Sequence, residues 1–167
     1  DVYKRQVYYK GQGGLLDVEV HPDFSENNYI YVSYSQPKKG KAFTAVARAK
    51  LIRNQLEDFE IIYSTEYKHY SRKSVHFGSR FAISGDFLFF SIGDRGERDE
   101  AQDLDKPNGK IHRLYLDGRV PSDNPFKSKN GDVSTIWCYG NRNPQGLAFS
   151  KEGVLWESEH GPRGEMN

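Results

Sequence analysis

Short runs of β-branched and aromatic residues, each bounded by polar turn residues, recur along this chain and predict strands rather than helices. Tyr29-Ile30-Tyr31-Val32-Ser33-Tyr34 is one such run, and similar ones occupy 45–52, 59–64, 87–92, 111–116 and 135–139. No segment of about 11 residues or more carries a 3.6-residue apolar period with caps, so long amphipathic helices are not expected. Gly, Asp, Asn and Pro fall between the runs at hairpin intervals, as in Ser84-Gly85-Asp86, Leu116-Asp117-Gly118 and Lys151-Glu152-Gly153. The pattern predicts an all-β fold.

A weak internal repeat refines this expectation. Leu16 to Asp23 leads into Tyr29 to Ser33, Arg80 to Asp86 into Phe87 to Ser91, and Gly146 to Gly153 into Val154 to Ser158. Each unit reads as a strand, a turn with Gly or Pro-Asp, and a more apolar strand ending in Ser. The closing serines, Ser33, Ser91 and Ser158, lie 58 and 67 residues apart. Propeller blades repeat at about 40–50 residues, and the excess here is assigned to loops. At that spacing the chain supplies about three blades of a β-propeller, short of the roughly four to eight that close one.

Composition narrows the function classes. The 24 Lys+Arg balance 23 Asp+Glu to a formal charge of +1, which disfavours a nucleic-acid partner held by bulk charge. The longest strongly apolar run, Phe87-Leu88-Phe89-Phe90, falls far short of the roughly 20 residues that cross a bilayer. Cys138 is the only cysteine, so neither an intrachain disulfide nor a multi-Cys zinc site can form. The single Met lies at 166 and no signal sequence opens the chain. The chain is therefore read as part of a longer protein: residues 1–10 as an N-terminal stub that need not be native, and 11–167 as propeller.

Three loops concentrate side chains able to do chemistry. Ser74 to Arg80 places His76 just before a strand, and Gly93-Asp94-Arg95-Gly96 follows the next strand. In a strand-turn-strand unit the two loops return to one face, so His76 and Asp94 can approach. A carboxylate on one imidazole nitrogen fixes the tautomer and leaves the other as a general base. The competing reading, commoner for any single His–Asp pair, is an ordinary turn His beside an Asx-turn former. Tyr139 to Gly146 offers Arg142, a planar fork for carboxylates, and Asn143, both donor and acceptor. A solvated turn accounts equally well for that composition. Glu159-His160-Gly161-Pro162-Arg163-Gly164-Glu165 offers hard oxygen ligands of the kind calcium takes, while zinc lacks a second His at ligand spacing. Gly11-Gln12-Gly13-Gly14 lacks the glycine spacing and following helix of a dinucleotide fingerprint.

The motifs taken in order resemble one family. They are Gly11 to Asp17 with His21-Pro22-Asp23-Phe24, His76 to Arg80, Gly93-Asp94, Ala101 to Leu104, Gly109 to Ile111, Asp117-Gly118, Asp123 to Phe126, Arg142 to Gly146, and Glu159 to Gly164. This set is similar to the pyrroloquinoline quinone (PQQ)-dependent soluble aldose sugar dehydrogenases of the glucose/sorbosone dehydrogenase family. The resemblance implies a six-bladed propeller with PQQ over the central channel and an aldose oxidised at its anomeric carbon to a lactone, hydride passing to PQQ. By motif position His76 is similar to the general base and Asp94 to the residue that orients it. Gln12, Arg142 and Asn143 match cofactor contacts. Gly161 and Pro162 match main-chain ligands of a calcium ion, and Glu165 a carboxylate at a second calcium. Gln102 matches a family position without an assigned role.

The chain departs from the pattern at Val75, where some members carry Asp, and at Asn141, where many carry His. It departs again after Gly164, where two residues are missing, and Asp1 to Gln6 match nothing in the family. The resemblance further implies a periplasmic or secreted location and an electron acceptor of unknown identity. It implies that this stretch alone is inactive. A calcium-assisted lactonase-like hydrolase and a non-catalytic carbohydrate-binding propeller are the alternative readings.

Overall fold

Ten strands account for most of the chain in the computed structural model, which describes residues 7–161. The first sheet is built from β1 (Leu15–Val20), β2 (Tyr29–Lys38), β3 (Lys41–Ile52) and β4 (Gln55–Tyr63). The second is built from β5 (Phe81–Ser84), β6 (Phe87–Ile92), β7 (Lys110–Tyr115) and β8 (Ile136–Tyr139). A hairpin of β9 (Pro144–Phe149) and β10 (Leu155–Glu159) opens a third. All pairings are antiparallel and run in chain order, the meander of a propeller blade. The first strands of successive sheets touch, β1 against β5 and β5 against β9, so the sheets are set side by side. The expected all-β partial propeller is observed, and the three sequence repeats are the first hairpins of the three sheets. Among the described residues the helical elements are one turn of helix at Phe24–Asn27 and two 3₁₀ stretches, Tyr67–His69 and Arg98–Gln102.

The continuous apolar run of β6 reflects burial on both faces. Leu88, Phe90 and Ile92 pack with Tyr31, Phe43 and Val46 of the first sheet. Phe89 and Phe87, on the opposite side of the pleat, meet Leu147, Phe149 and Leu155 of the third. The core is thus a pair of seams between sheets.

Strand ends differ from the sequence expectation where turn chemistry was not recognised. β3 starts at Lys41 and β4 at Gln55 because Lys39-Gly40 and Arg53-Asn54 both take positive φ (48°, 73°, 48° and 64°). Two consecutive left-handed residues make the tight hairpin turn whose twist matches the flanking strands. Asp123-Asn124, part of the family-like pattern, is structural. Asn124 accepts from Arg113 Nε at 2.6 Å and donates to the carbonyls of Arg113 and Ser134, holding the long connection before β8.

Candidate active site

Linkers from all three sheets converge at one end. Residues 71–80 join the first two sheets, 93–109 join β6 to β7, and 140–143 join β8 to β9. Buried hydroxyls fasten the first linker to its neighbours: Ser33 Oγ donates to Ser79 O and Thr44 Oγ1 to Phe77 O, each at 2.8 Å. These polar residues lie inside strands because they donate to buried carbonyls of the linker, Phe77 O taking Ser79 Oγ as a second donor at 2.9 Å.

Arg95 does the same work with a charge. Its side chain is 1% exposed, lies with its guanidinium carbon 3.6 Å from the Phe77 ring centroid, and donates to the carbonyls of Lys73, Val75 and Ala42. Burial lowers its pKa to about 10, which leaves it protonated at neutral pH. The chain from Lys73 to Phe77 is thereby held on three sides. Sequence reasoning passed over Arg95, although an Asp-Arg pair bracketed by two glycines was the available signal.

His76 sits on this support with φ 52°, a conformation that side chains other than Gly adopt uncommonly. Its N–H donates to Gln12 Oε1 at 2.7 Å, and its Nδ1 lies 2.7 Å from Asp94 Oδ1. The imidazole side chain is 15% exposed and the carboxylate 1%. Asp94 Oδ1 also accepts the Gly96 N–H at 2.7 Å, so the carboxylate cannot swing away without breaking two bonds. Gly93 permits the approach. A Cβ there would stand 2.3 Å from His76 O and 3.0 Å from Asn143 Oδ1.

The third linker closes the arrangement. Arg142 O accepts the Asp94 N–H at 2.7 Å, and Asn143 Oδ1 accepts from Gly78 N–H at 3.2 Å. Glu159 Oε2 accepts the main-chain N–H groups of Arg142 and Asn143 at 2.6 and 3.1 Å, and Arg142 Nη1 donates to His160 O at 2.6 Å. Glu159 was weighed in the sequence only as a metal ligand; here it shapes the loop. Arg80 bridges the sheets, donating to Leu16 O of β1 and Gln145 O of β9. A pocket of about 400 Å³ opens along the linker just after His76, lined by Gln12, Phe77, Gly78, Arg80, Asn143 and His160 among others but not by His76 or Asp94 themselves.

Five of the sequence-selected residues, Gln12, His76, Asp94, Arg142 and Asn143, are therefore joined by a continuous set of hydrogen bonds. Gly161 is the last described residue, next to His160, whose N–H reaches Asn143 O at 3.3 Å. Pro162 and Glu165 lie outside the described residues. Gln102 stands apart, with its amide against Gly140.

The sequence profile described as Glucose / Sorbosone dehydrogenase matches residues 2–167. The chain belongs to the glucose/sorbosone dehydrogenase family. A curated member, the aldose sugar dehydrogenase YliI of Escherichia coli, is 43% identical over 163 residues, covering 95% of this chain and 43% of that protein. The crystal structure of the soluble aldose sugar dehydrogenase from Escherichia coli in the apo-form superposes with a TM-score of 0.85 at 41% identity, over 94% of this chain and 46% of that one. The PQQ-bound aldose sugar dehydrogenase of Streptomyces coelicolor gives a TM-score of 0.77 at 27% identity, over 93% of this chain and 44% of that one. The chain thus spans less than half the length of these members of the glucose/sorbosone dehydrogenase family.

Proposed function

We propose that the protein to which this chain belongs oxidises aldose sugars at the anomeric carbon to lactones with PQQ as cofactor. The observation that carries this reading is the 2.7 Å contact of His76 Nδ1 with Asp94 Oδ1, on the linker that goes on to line a pocket with amide and guanidinium groups. Asp94 holds the proton on Nδ1 and so leaves the Nε2 lone pair free to accept one. In the reaction the anomeric hydroxyl gives its proton to His76 Nε2, its carbon gives up a hydride, and the C–O bond becomes the lactone carbonyl. PQQ, when bound, supplies the quinone that takes the hydride.

The residues present suit such a group. PQQ carries carboxylates and quinone oxygens, all acceptors, and the donors facing the pocket are of the matching kind. Gln12 uses Oε1 on the His76 N–H, which leaves its amide NH₂ to donate. Arg142 is not part of the pocket lining; in the adjoining loop it commits Nη1 to His160 O and keeps further guanidinium donors. Gly78 presents bare backbone at the wall. A calcium ion on the carbonyls of Gly161 and Pro162, which family resemblance suggests, would add Lewis acidity to the same site.

The test is His76→Gln in the intact protein, assayed with PQQ, calcium, an aldose and an artificial electron acceptor. Turnover is expected to fall by roughly 10²–10⁴-fold while PQQ affinity holds. Undiminished turnover in the variant removes His76 as the base. No aldose oxidation by the PQQ-loaded wild type removes the sugar dehydrogenase reading itself.

A further inference from the structure

Two buried oxygens, one on β10 and one on the loop that carries Arg142 and Asn143, lack a hydrogen-bond donor among the described residues. Asn141 is 8% exposed, and its Nδ2 donates to Glu157 Oε1 at 3.0 Å. The remaining polar atoms of the same two side chains, Asn141 Oδ1 and Glu157 Oε2, are both buried and both without a partner among the described residues. An ionised carboxylate offers two acceptors, whereas a primary amide offers one donor side and one acceptor side. Turning the amide over does not help, because its oxygen then faces the other carboxylate oxygen. A carboxylic acid does match: one oxygen accepts while the other donates.

We propose that Glu157 is a protonated carboxylic acid at neutral pH, forming with Asn141 a closed acid–amide pair that clamps the 141–143 loop onto β10. The Oε2–H then donates to Asn141 Oδ1, and a single proton supplies both unpartnered atoms. The surroundings favour the neutral form. Burial and then the neighbouring Glu159 carboxylate raise the Glu157 pKa, against a smaller lowering by the Asn141 bond. The titratable group facing it from β8 is the Cys138 thiol, itself raised by burial and by Glu157. No Lys, Arg or His pairs with Glu157 among the described residues. The two glutamates of β10 therefore divide the loop between them: Glu159 accepts the main-chain N–H groups of Arg142 and Asn143, and Glu157 holds the side chain of Asn141.

The inference is independent of the redox reading, and its readouts require neither PQQ nor sugar. In the intact wild-type protein at pH 7, infrared spectroscopy is expected to show a protonated-carboxyl band that Glu157→Gln removes. Because the folded state binds the extra proton, wild-type stability falls as pH rises from the ordinary carboxyl range through the raised value. Glutamine reproduces the acid's donor and acceptor, so Glu157→Gln is expected to keep its melting temperature across that range. It should exceed the wild type by a few degrees at the alkaline end. Absence of the band, or a Gln variant that melts below wild type at pH 7, overturns the proposal. Stabilisation of the wild type by added calcium that Glu157→Gln abolishes also overturns it, since that assigns the two oxygens to a cation.

Discussion

Arg95 and His76 divide the labour at the residue scale: the arginine shapes the backbone that presents the imidazole, and neither role can be filled by a residue of similar charge alone. Replacing Arg95 by Met takes the guanidinium donors from the carbonyls of Lys73 and Val75, while Ala42 O keeps the Ser71 N–H, a loss on the order of 2–4 kcal/mol of unfolding free energy, readable by denaturant titration. Arg95→Lys supplies one ammonium where a fork spans three acceptors, so it should recover only part of that loss. His112 gives a different expectation. It is buried beside Phe90 and Tyr63, with Nδ1 at Thr135 Oγ1 and Nε2 at Pro107 O, and burial pushes its pKa down from 6.5 to about 3. Between those values the unfolded chain binds a proton that the folded chain does not, so stability should fall as pH drops from about 6.5 towards 3. His112→Gln should flatten that slope in denaturation curves taken across the window. Both residues look alike in the sequence, as basic side chains with a charged residue on one side and a small or apolar one on the other. Only the surrounding chain separates a charged buried arginine from a neutral buried histidine.

At the scale of elements, β6 decides the packing because it contributes to both seams. Phe90→Ala removes a side chain shared with Leu88, Tyr31 and Phe43, and Phe89→Ala one that meets Phe149 and Trp137. The first should cost about 3–5 kcal/mol and the second less, since the third sheet is here only a hairpin and can relax around the gap. The linkers are equally exacting where two backbones touch. Gly93→Ala puts a methyl against His76 O, so it should disturb the His76–Asp94 pair as well as stability; the histidine ring resonances in NMR spectra would report the change. The hairpin repeat was legible in the sequence because strand, turn and strand are local. The ends of β3 and β4 were not, since Lys39-Gly40 and Arg53-Asn54 lack the strongest two-residue turn signals and were overridden by pairing in the sheet.

For the whole molecule, the sheets form an open row whose two ends carry apolar groups in contact with solvent. Val18 and Val20 of β1 and Val154 and Trp156 around β10 are among the exposed hydrophobics. Residues 1–167 produced alone are expected to self-associate, and Trp156→Lys should raise the monomer fraction seen in sedimentation velocity. By itself the sequence determined the β class, the hairpin repeat and which side chains are candidates for chemistry, because period, turn residues and motif order are properties of neighbours along the chain. Only the tertiary structure decided that His76 meets Asp94, that Arg95 supports them, and that Glu157 faces Asn141 with one donor too few. Those partners are 16 to 53 residues apart, and their distances and burial depend on how linkers pack after the strands have formed.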